Sequence, residues 1–141
     1  MLLDTNVVLD FLLDREPFAE AATEIWEANR QGRIEAYVSA ITPVNIFYIA
    51  RKLRGVEVAR QIVEGLLNEC RIAMVDRAVL QDAMMFSLKD YEDAVQLASA
   101  MRSRLDAIVT RNPKDYPSAP LLVLSPSDLV TILTPENSGN S

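Results

Sequence analysis

Short apolar segments alternate along this chain with longer segments whose apolar residues recur at helical spacing, and this alternation limits the possible folds more than any other feature. The predicted strands cover residues 1–3, 36–40, 72–75, 106–110 and 121–124. The predicted helices cover residues 17–30, 42–53, 57–69, 90–103 and 126–133, and a further helix is predicted to begin at Asp76. Such alternation predicts an α/β domain in which helices cover both faces of a mostly parallel sheet.

The length and organisation of the chain indicate a single domain. Its 141 residues match the usual size of one domain, and the hydrophobic half of the sequence is enough to build a full core. The sequence contains no repeat, low-complexity segment or linker. We therefore predict one domain over residues 1–133, followed by a polar tail at 134–141 that we expect to be disordered.

Histidine is absent from the sequence, and cysteine occurs once. The absence of histidine excludes Ser-His-Asp and Cys-His catalysis, and it excludes zinc sites built on imidazole. The lone Cys70 cannot form an intramolecular disulfide, which is typical of a reducing cytosol, and we expect it to be a small buried residue. Met84, Met85 and Phe86 are likewise expected in the core.

The amino-terminal apolar run is interrupted by Asp4, Asp10 and Asp14, and no basic region precedes it. This pattern argues against a signal peptide. No segment approaches the ~20 apolar residues of a membrane span. We therefore expect a cytoplasmic protein that does not enter a membrane.

The net charge of −6 and the pI of about 4.6 restrict how the chain could bind nucleic acid. Non-specific binding to nucleic acid depends mainly on neutralising phosphates, so an acidic chain is not expected to coat DNA or RNA. The charge is compatible with an enzyme that binds a phosphodiester through metal ions and a local basic rim.

Polar side chains follow several of the predicted strands. Asp4 comes directly after the first strand, and Asn45 lies in the first turn of the helix after the second. Asp93 lies in the first turn of a later helix, while Asn112 and Asp115 follow the fourth strand. Parallel sheets place their sites at the carboxyl ends of strands, so we expect these residues to converge on one edge of the sheet.

The residue types at this edge favour binding of a hard metal ion. Carboxylates that crowd together repel one another, so a shared site is costly unless a cation compensates. Oxygen ligands without nitrogen or sulfur favour Mg²⁺ or Mn²⁺. Such ions bind phosphates, lower the pKa of a bound water and stabilise a leaving oxygen. The residues therefore predict magnesium-dependent hydrolysis of a phosphodiester.

Each candidate residue also has a purely structural explanation. Asp4 could cap the turn after the strand, and Asn45 lies three residues after Thr42, the predicted N-cap, where a capping box places Glu or Gln. Asp93 could complement the helix dipole. Turn chemistry could explain the two polar residues that flank Pro113. Their shared position at strand ends favours a common functional role.

Four segments of the chain together resemble the PIN-domain family over residues 1–130. The matching segments are LLDTNVVLDFLLDR, AYVSAITPVNIFYIARK, YEDAVQLASA and DAIVTRNPKDY. The resemblance implies a PIN-like three-layer sandwich with a central, mostly parallel sheet flanked by helices. Bacterial PIN proteins are typically metal-dependent endoribonucleases, and many are the VapC-like toxins of toxin–antitoxin pairs. It therefore implies cleavage of single-stranded RNA with Mg²⁺ or Mn²⁺, an antitoxin as a candidate partner, and a homodimer as a candidate assembly.

The resemblance also implies roles for individual residues. It makes Asp4 and Asp93 the principal metal ligands. Asn112 matches a position where the family often has Asp or Asn, and Asp115 is a nearby carboxylate; with Asn45, both are candidate catalytic residues. Asn6 and Thr110 match the polar residues that orient the site. Glu92, next to Asp93, is either a supporting residue or a solvated acid of the first helical turn.

Asn45 departs from the commoner family pattern, which has Glu at this position. An amide supplies a neutral oxygen and removes one negative charge, so we expect weaker metal binding. A branch of PIN-like proteins carries Asn at this point, so the substitution does not by itself imply an inactive protein.

Basic residues near the predicted site form a candidate rim for RNA phosphates. Arg51, Lys52 and Arg54 end the helix that carries Asn45. Arg111 and Lys114 flank the polar residues after the fourth strand. The alternative for the first three residues is that they complement the carboxyl end of their helix.

Three functions are compatible with these residues. The first is a Mg²⁺-dependent ribonuclease that could be the toxin of a toxin–antitoxin pair. The second is a PIN-like module without activity, or with weak activity, that binds RNA or a protein partner through the same cleft. The third is a phosphotransfer enzyme or receiver domain that uses Asp4, and it ranks last because the chain lacks the Asp-x-Asp motif of the haloacid-dehalogenase group.

Overall fold

A parallel β-sheet of short strands forms the centre of the protein. The structure, a computed structural model, describes residues 1–117 and 119–134. Within these residues the strands are β1 (Leu2–Leu3), β2 (Tyr37–Ser39), β3 (Arg71–Ala73), β4 (Ala107–Val109) and β5 (Leu122–Leu124). Their order across the sheet is β3-β2-β1-β4-β5, and every pairing is parallel. The order reverses at β1, so the crevice between β1 and β4 is where α/β sheets usually bind ligands.

Helices cover both faces of this sheet. They are α1 (Thr5–Leu12), α2 (Ala19–Arg30), α3 (Thr42–Arg54), α4 (Val56–Glu69), α5 (Arg77–Met85), α6 (Tyr91–Arg102) and α7 (Pro126–Leu133). A 3₁₀ turn, Pro113–Asp115, lies between β4 and β5. The expected three-layer α/β sandwich is confirmed.

Alternation of side chains along the strands divides the core between the two faces. Leu3 and Val109 pack in the larger cluster, together with residues of α1, α2, α3, α4 and α7. Leu2 and Ile108 point to the opposite face and pack with Leu97 of α6. Because both faces are covered, the strands are apolar on both sides, as expected for a parallel sheet.

The first helix, α1, was not predicted from the sequence. Its residues directly follow β1, and Asp4 is its N-cap, with the carboxylate accepting a hydrogen bond from the backbone N–H of Asn6. A continuous apolar run hides the change from strand to helix here, because both structures bury most of the segment.

Thr42 was predicted to cap α3, and this prediction is wrong. The cap position is Ile41, which makes no side-chain capping bond. The hydroxyl of Thr42 is buried and lies 3.0 Å from the hydroxyl of Thr5. Asn45 therefore does not occupy the third position after a Thr cap, and a capping box does not explain it.

The expected burial holds for Cys70 but not for two of the methionines. Cys70 belongs to the larger core cluster, and burial raises the pKa of its thiol to about 12. Met84 and Met85 are 72% and 83% exposed, because the buried side of α5 is formed by Val79 and Ala83. Phe86 is partly buried against the core.

Two further expectations concern the carboxyl-terminal tail and membranes. Residues 135–141, which make up most of the predicted disordered tail, lie outside the described residues. In the part of the chain that the structure describes, no helix has both the length and the apolar character required to cross a bilayer.

The central position of β4 makes its buried side chains sensitive to truncation. Ile108→Ala removes a fully buried side chain between the sheet and α6, and we expect it to lower the free energy of unfolding by about 2–5 kcal/mol. Ile132→Ala, in a side chain that is 64% exposed on α7, is the matched control and should change it by less than about 0.5 kcal/mol. Urea denaturation measures both values, and equal losses would contradict the assigned core.

Candidate functional site

Asp4 lies at the switch point of the sheet, directly after the central strand. Its backbone N–H donates to the carbonyl of Val109 at 2.9 Å, which ties the exit of β1 to β4. The residue is only 6% exposed, and its carboxylate accepts a hydrogen bond from the backbone N–H of Asn6 at 3.3 Å. The capping role and the position in the crevice are therefore properties of the same carboxylate.

The hydroxyl of one tyrosine contacts the carboxylates of both Asp4 and Asp93. The hydroxyl of Tyr116 donates to Asp4 Oδ2 at 3.0 Å and lies 3.4 Å from Asp93 Oδ1. Asp93 is half-buried in the first turn of α6, where the carboxylate of Asp90 caps its backbone N–H at 3.1 Å. Residues from the beginning of the chain, from α6 and from the loop after β4 thus meet at one point.

Gln96 and Tyr116 also belong to this site, and neither was predicted from the sequence. The side-chain amide of Gln96 donates to the hydroxyl of Tyr116 at 3.0 Å, and its carbonyl oxygen accepts from the backbone N–H of Thr5 at 3.2 Å. Both side chains are buried. A glutamine within the apolar run of α6, one turn after Asp93, was the available signal.

The crowding of carboxylates is visible in the acid–base properties of the site. The pKa of Asp93 is raised to about 7, first by burial and then by the negative charges of Asp4, Asp90, Asp115 and Glu92. Burial, followed by the charges of Asp4 and Asp93, raises the pKa of the Tyr116 hydroxyl far above its ordinary value. The hydroxyl therefore stays protonated and acts as a donor to the carboxylate pair.

An open pocket of about 390 Å³ borders Asp93. Asp90 and Asp115 line it on the acidic side, and Lys89 and Lys114 contribute positive charge. Asp115 is exposed at the rim, so the structure brings it to the pocket of Asp93 but leaves it in solvent.

The oxygen ligands at this site are compatible with a hard metal ion. Within the described residues, no three side chains among Asp, Glu, Cys and His are grouped closely enough to hold an ion between them. Asp4 and Asp93 are the two carboxylates that converge, through Tyr116. Mg²⁺ is commonly held by one or two carboxylates, several waters and substrate phosphates, so this oxygen-rich pair fits Mg²⁺ or Mn²⁺.

Asn6 and Thr110 connect the exits of β1 and β4. The side-chain amide of Asn6 donates to the hydroxyl of Thr110 at 3.5 Å, and the backbone N–H of Arg111 donates to Asn6 Oδ1 at 3.4 Å. The backbone N–H of Asn112 donates to the hydroxyl of Thr110 at 3.1 Å. The side chain of Asn112 is exposed. Its backbone N–H, through the bond to Thr110, helps to fix the conformation of the loop.

Asn45 lies in the first turn of α3, and Glu92 is next to Asp93 in the first turn of α6. Asn45 is partly buried and sits three residues after Thr42, so the two side chains share one face of α3. Among the described residues, the side chain of Asn45 has no hydrogen-bond partner. Glu92 is also partly buried and adds its charge to the surroundings of Asp93.

Arg111 is held by α1 instead of projecting freely from the loop. Its Nε lies 2.9 Å from Asp10 Oδ2, and its guanidinium carbon lies 4.0 Å from the ring centroid of Phe18. Arg15 Nε approaches the other oxygen of Asp10 at 3.0 Å. Asp10 is 1% exposed, so this buried carboxylate anchors the loop that begins at Arg111. The roles of Asp10, Arg15 and Phe18 were not predicted from the sequence.

The basic residues of α3 are not brought to the site. Arg51, Lys52 and Arg54 are exposed in the last turn of the helix, and Arg51 stacks over the ring of Tyr48 at 5.0 Å. The site is near Thr42, and the helical rise places Arg51 about 14 Å further along the axis. Of the predicted phosphate-binding residues, Lys114 is the one that lines the pocket beside Asp93.

Comparison with known sequences decides the family. A family model described as PIN domain matches residues 1–114. The chain belongs to the PIN domain family. A comparison with curated proteins gives no match.

Solved structures share this PIN fold. A toxin–antitoxin complex from Klebsiella pneumoniae is 25% identical, with a TM-score of 0.66 over 89% of this chain and 96% of that chain. A DNA-bound VapBC complex from Salmonella typhimurium is 20% identical, with a TM-score of 0.69 over 89% and 96%. A VapC toxin from Mycobacterium tuberculosis, which cleaves the sarcin–ricin loop, is 11% identical, with a TM-score of 0.62 over 76% and 85%. The last two similarities show the fold alone.

The ion pairs of Asp10 predict a large effect of a small substitution in this PIN domain. Asp10→Asn removes the charge that two guanidinium groups share, and we expect the free energy of unfolding to fall by about 3 kcal/mol, the lower end for a broken buried ion pair, because both arginines are partly exposed. Asp106→Asn, at a carboxylate that is 86% exposed, should leave stability essentially unchanged. Chemical denaturation of the two variants checks this, and similar small effects would mean that Asp10 does not anchor the loop.

Proposed function

We propose that this PIN domain is an endoribonuclease that cleaves single-stranded RNA with Mg²⁺ or Mn²⁺ in the cytoplasm. The observation that carries the proposal is the convergence of Asp4 and Asp93 on the hydroxyl of Tyr116, at the switch point of the sheet. Asp4 is buried and Asp93 faces the open pocket, so a substrate phosphate has access to the pair from one side.

The electrostatics of the pair support binding of a cation. Burial and four neighbouring carboxylates disfavour the charged form of Asp93, and a divalent cation would offset this repulsion. Two carboxylates leave room for water and phosphate oxygens in the coordination of Mg²⁺. The bound ion would supply an activated water and charge stabilisation of the phosphate.

The protein's own residues would hold and orient the reactants. Asp4 and Asp93 would bind the ion. Asn6 and Thr110 fix the exits of β1 and β4 relative to each other. Lys114, at the pocket beside Asp93, is placed to contact a phosphate of the RNA. No histidine is required for this chemistry, in agreement with the composition.

The known relatives suggest the biological setting. Similar structures include toxin–antitoxin complexes from Klebsiella pneumoniae and Salmonella typhimurium, and a Mycobacterium tuberculosis relative is a toxin that cleaves the sarcin–ricin loop. We therefore propose that this chain acts as the toxin of a toxin–antitoxin pair, with an antitoxin as its protein partner and a homodimer as its assembly.

Asn45 favours a second candidate function. A neutral amide stands where the family commonly has Glu, and within the described residues no three acidic side chains are placed to hold one metal ion between them. A PIN-like module that binds RNA or a protein partner with little or no cleavage is therefore the alternative. Wild-type protein that leaves varied single-stranded RNAs intact with both metals would favour this function.

Asp93→Asn is the test of the proposed activity. The amide keeps the size of the side chain but loses the charge that would hold the cation, so we expect metal-dependent RNA cleavage to be lost while the domain stays folded. Cleavage rate and melting temperature are measured on the same samples, with Mg²⁺ and with Mn²⁺.

Asp128→Asn is the matched control for this test. Asp128 occupies the same position in α7 as Asp93 in α6, three residues after an N-cap whose side chain bonds its backbone N–H. If Asp93 serves only the helix dipole, both substitutions should cost less than about 1 kcal/mol of stability and leave cleavage unchanged. That outcome would remove Asp93 from the site.

Asn45→Glu tests whether this position belongs to the metal site. Because the commoner family pattern has a carboxylate at this position, we expect the additional negative charge to tighten Mg²⁺ binding by about tenfold, equivalent to about 1.4 kcal/mol. Asn45→Gln is the control, because it lengthens the side chain without adding charge and should leave the affinity unchanged. Titration calorimetry measures both, and unchanged or weaker binding in folded Asn45→Glu protein would contradict the assignment of Asn45 to the metal site.

A further inference from the structure

A buried chain of polar side chains extends from the carboxylate pair into the domain. The hydroxyl of Tyr116 contacts Asp4 and Asp93, and it accepts a hydrogen bond from Gln96 Nε2 at 3.0 Å. Gln96 Oε1 accepts from the backbone N–H of Thr5 at 3.2 Å. These hydrogen bonds therefore connect the loop after β4, helix α6 and the start of α1.

The partners of Gln96 fix the direction of the Tyr116 proton. The backbone N–H of Thr5 can only donate, so the oxygen of the Gln96 amide must face it and the nitrogen must face Tyr116. A tyrosine hydroxyl carries one proton. Because Gln96 donates to its oxygen, that proton is directed towards Asp4 and Asp93. The orientation of the hydroxyl thus follows from a backbone group of α1.

Burying the hydroxyl of Tyr116 costs desolvation free energy, and filling the core does not require it. Tyr116 belongs to the apolar cluster around Leu97 and Ile108 and is 2% exposed, and Gln96 is fully buried. A phenylalanine would fill the same space without requiring a buried polar partner. The hydroxyl and the glutamine amide are therefore explained by the two carboxylates that they support.

We propose that Tyr116 is a positioning residue that fixes the relative orientation of the Asp4 and Asp93 carboxylates for binding one divalent cation, with Gln96 holding its hydroxyl in place. The proposal rests on the proposed function of the site. Hydrogen-bonded partners of metal ligands commonly contribute 10–100-fold to metal affinity, because they fix the orientation of the ligands. Tyr116 lies directly after Asp115. The loop after β4 would therefore both line the pocket, through Asp115, and orient the metal ligands, through Tyr116.

The test is the affinity of the full chain for Mn²⁺, measured by electron paramagnetic resonance of the free ion. Tyr116→Phe keeps the ring and removes the hydroxyl, and we expect the dissociation constant to rise about 10–100-fold. Tyr37→Phe is the matched control, since Tyr37 begins β2 near Met1 and Asp106, at the other end of the strands, and its variant should bind Mn²⁺ like the wild type.

The same measurement separates positioning from a general structural role. A structural role would lower the melting temperature of metal-free Tyr116→Phe protein and leave the Mn²⁺ dissociation constant of the folded protein unchanged. This result would overturn the proposal. Gln96→Met provides a second variant if Tyr116→Phe does not fold, because it keeps the hydroxyl and removes the bond that directs it. Wild-type affinity in folded Gln96→Met protein would equally overturn the proposal, and weaker binding would support it.

Asp93→Asn distinguishes failure of this inference from failure of the proposed function. If Asp93→Asn binds Mn²⁺ as tightly as the wild type, the metal site itself is wrongly placed and both proposals fail. If Asp93→Asn loses binding while Tyr116→Phe retains it, the metal site stands and only the positioning role of Tyr116 is overturned.

Discussion

A carboxylate buried at the end of the central strand is the constraint on which the rest of the site depends. Asp4 is held almost out of contact with solvent, and burying a charge is costly unless it is paired or hydrogen-bonded. Its side-chain partners within residues 1–117 and 119–134 are the backbone N–H of Asn6 and the hydroxyl of Tyr116, both uncharged. Since β1 lies between β2 and β4, elements from distant parts of the chain must meet around this one side chain.

A second buried carboxylate, that of Asp10 in α1, is stabilised differently. Asp10 is paired with Arg15 and Arg111, so the protein itself supplies the compensating charge. Asp4 has no such compensation among its described partners, and the other carboxylate at the site, Asp93, increases the negative charge. The aspartate that caps α1 and the aspartate within it thus differ: Asp10 is neutralised by two arginines and anchors a loop, whereas Asp4 adjoins a second carboxylate.

Much of the architecture was predictable because strands and helices have different hydrophobic periods. The strands were placed correctly to within a residue or two, and their alternation with helices predicted the parallel sheet. Helix α1 was missed because its apolar residues continue those of β1 without a break. Thr42 was misassigned because a Thr-Pro pair commonly begins a helix, whereas here the hydroxyl of Thr42 forms a hydrogen bond with the hydroxyl of Thr5. Met84 and Met85 were expected in the core on hydrophobicity alone, but the orientation of α5 exposes both.

The sequence by itself determined the α/β class, the position of Asp4 and Asp93 near strand and helix ends, and the exclusion of histidine as a catalytic residue or metal ligand, because these follow from residue order and composition. Only the tertiary structure decided which polar groups touch. Tyr116 reaches Asp4 and Asp93 because β4 pairs with β1, and Gln96 reaches Tyr116 because α6 packs on the same face. Arg111 forms an ion pair with Asp10, and the basic end of α3 lies away from the pocket. These contacts join residues far apart in the chain, and their partners are fixed by sheet order and helix packing, which local sequence patterns do not encode.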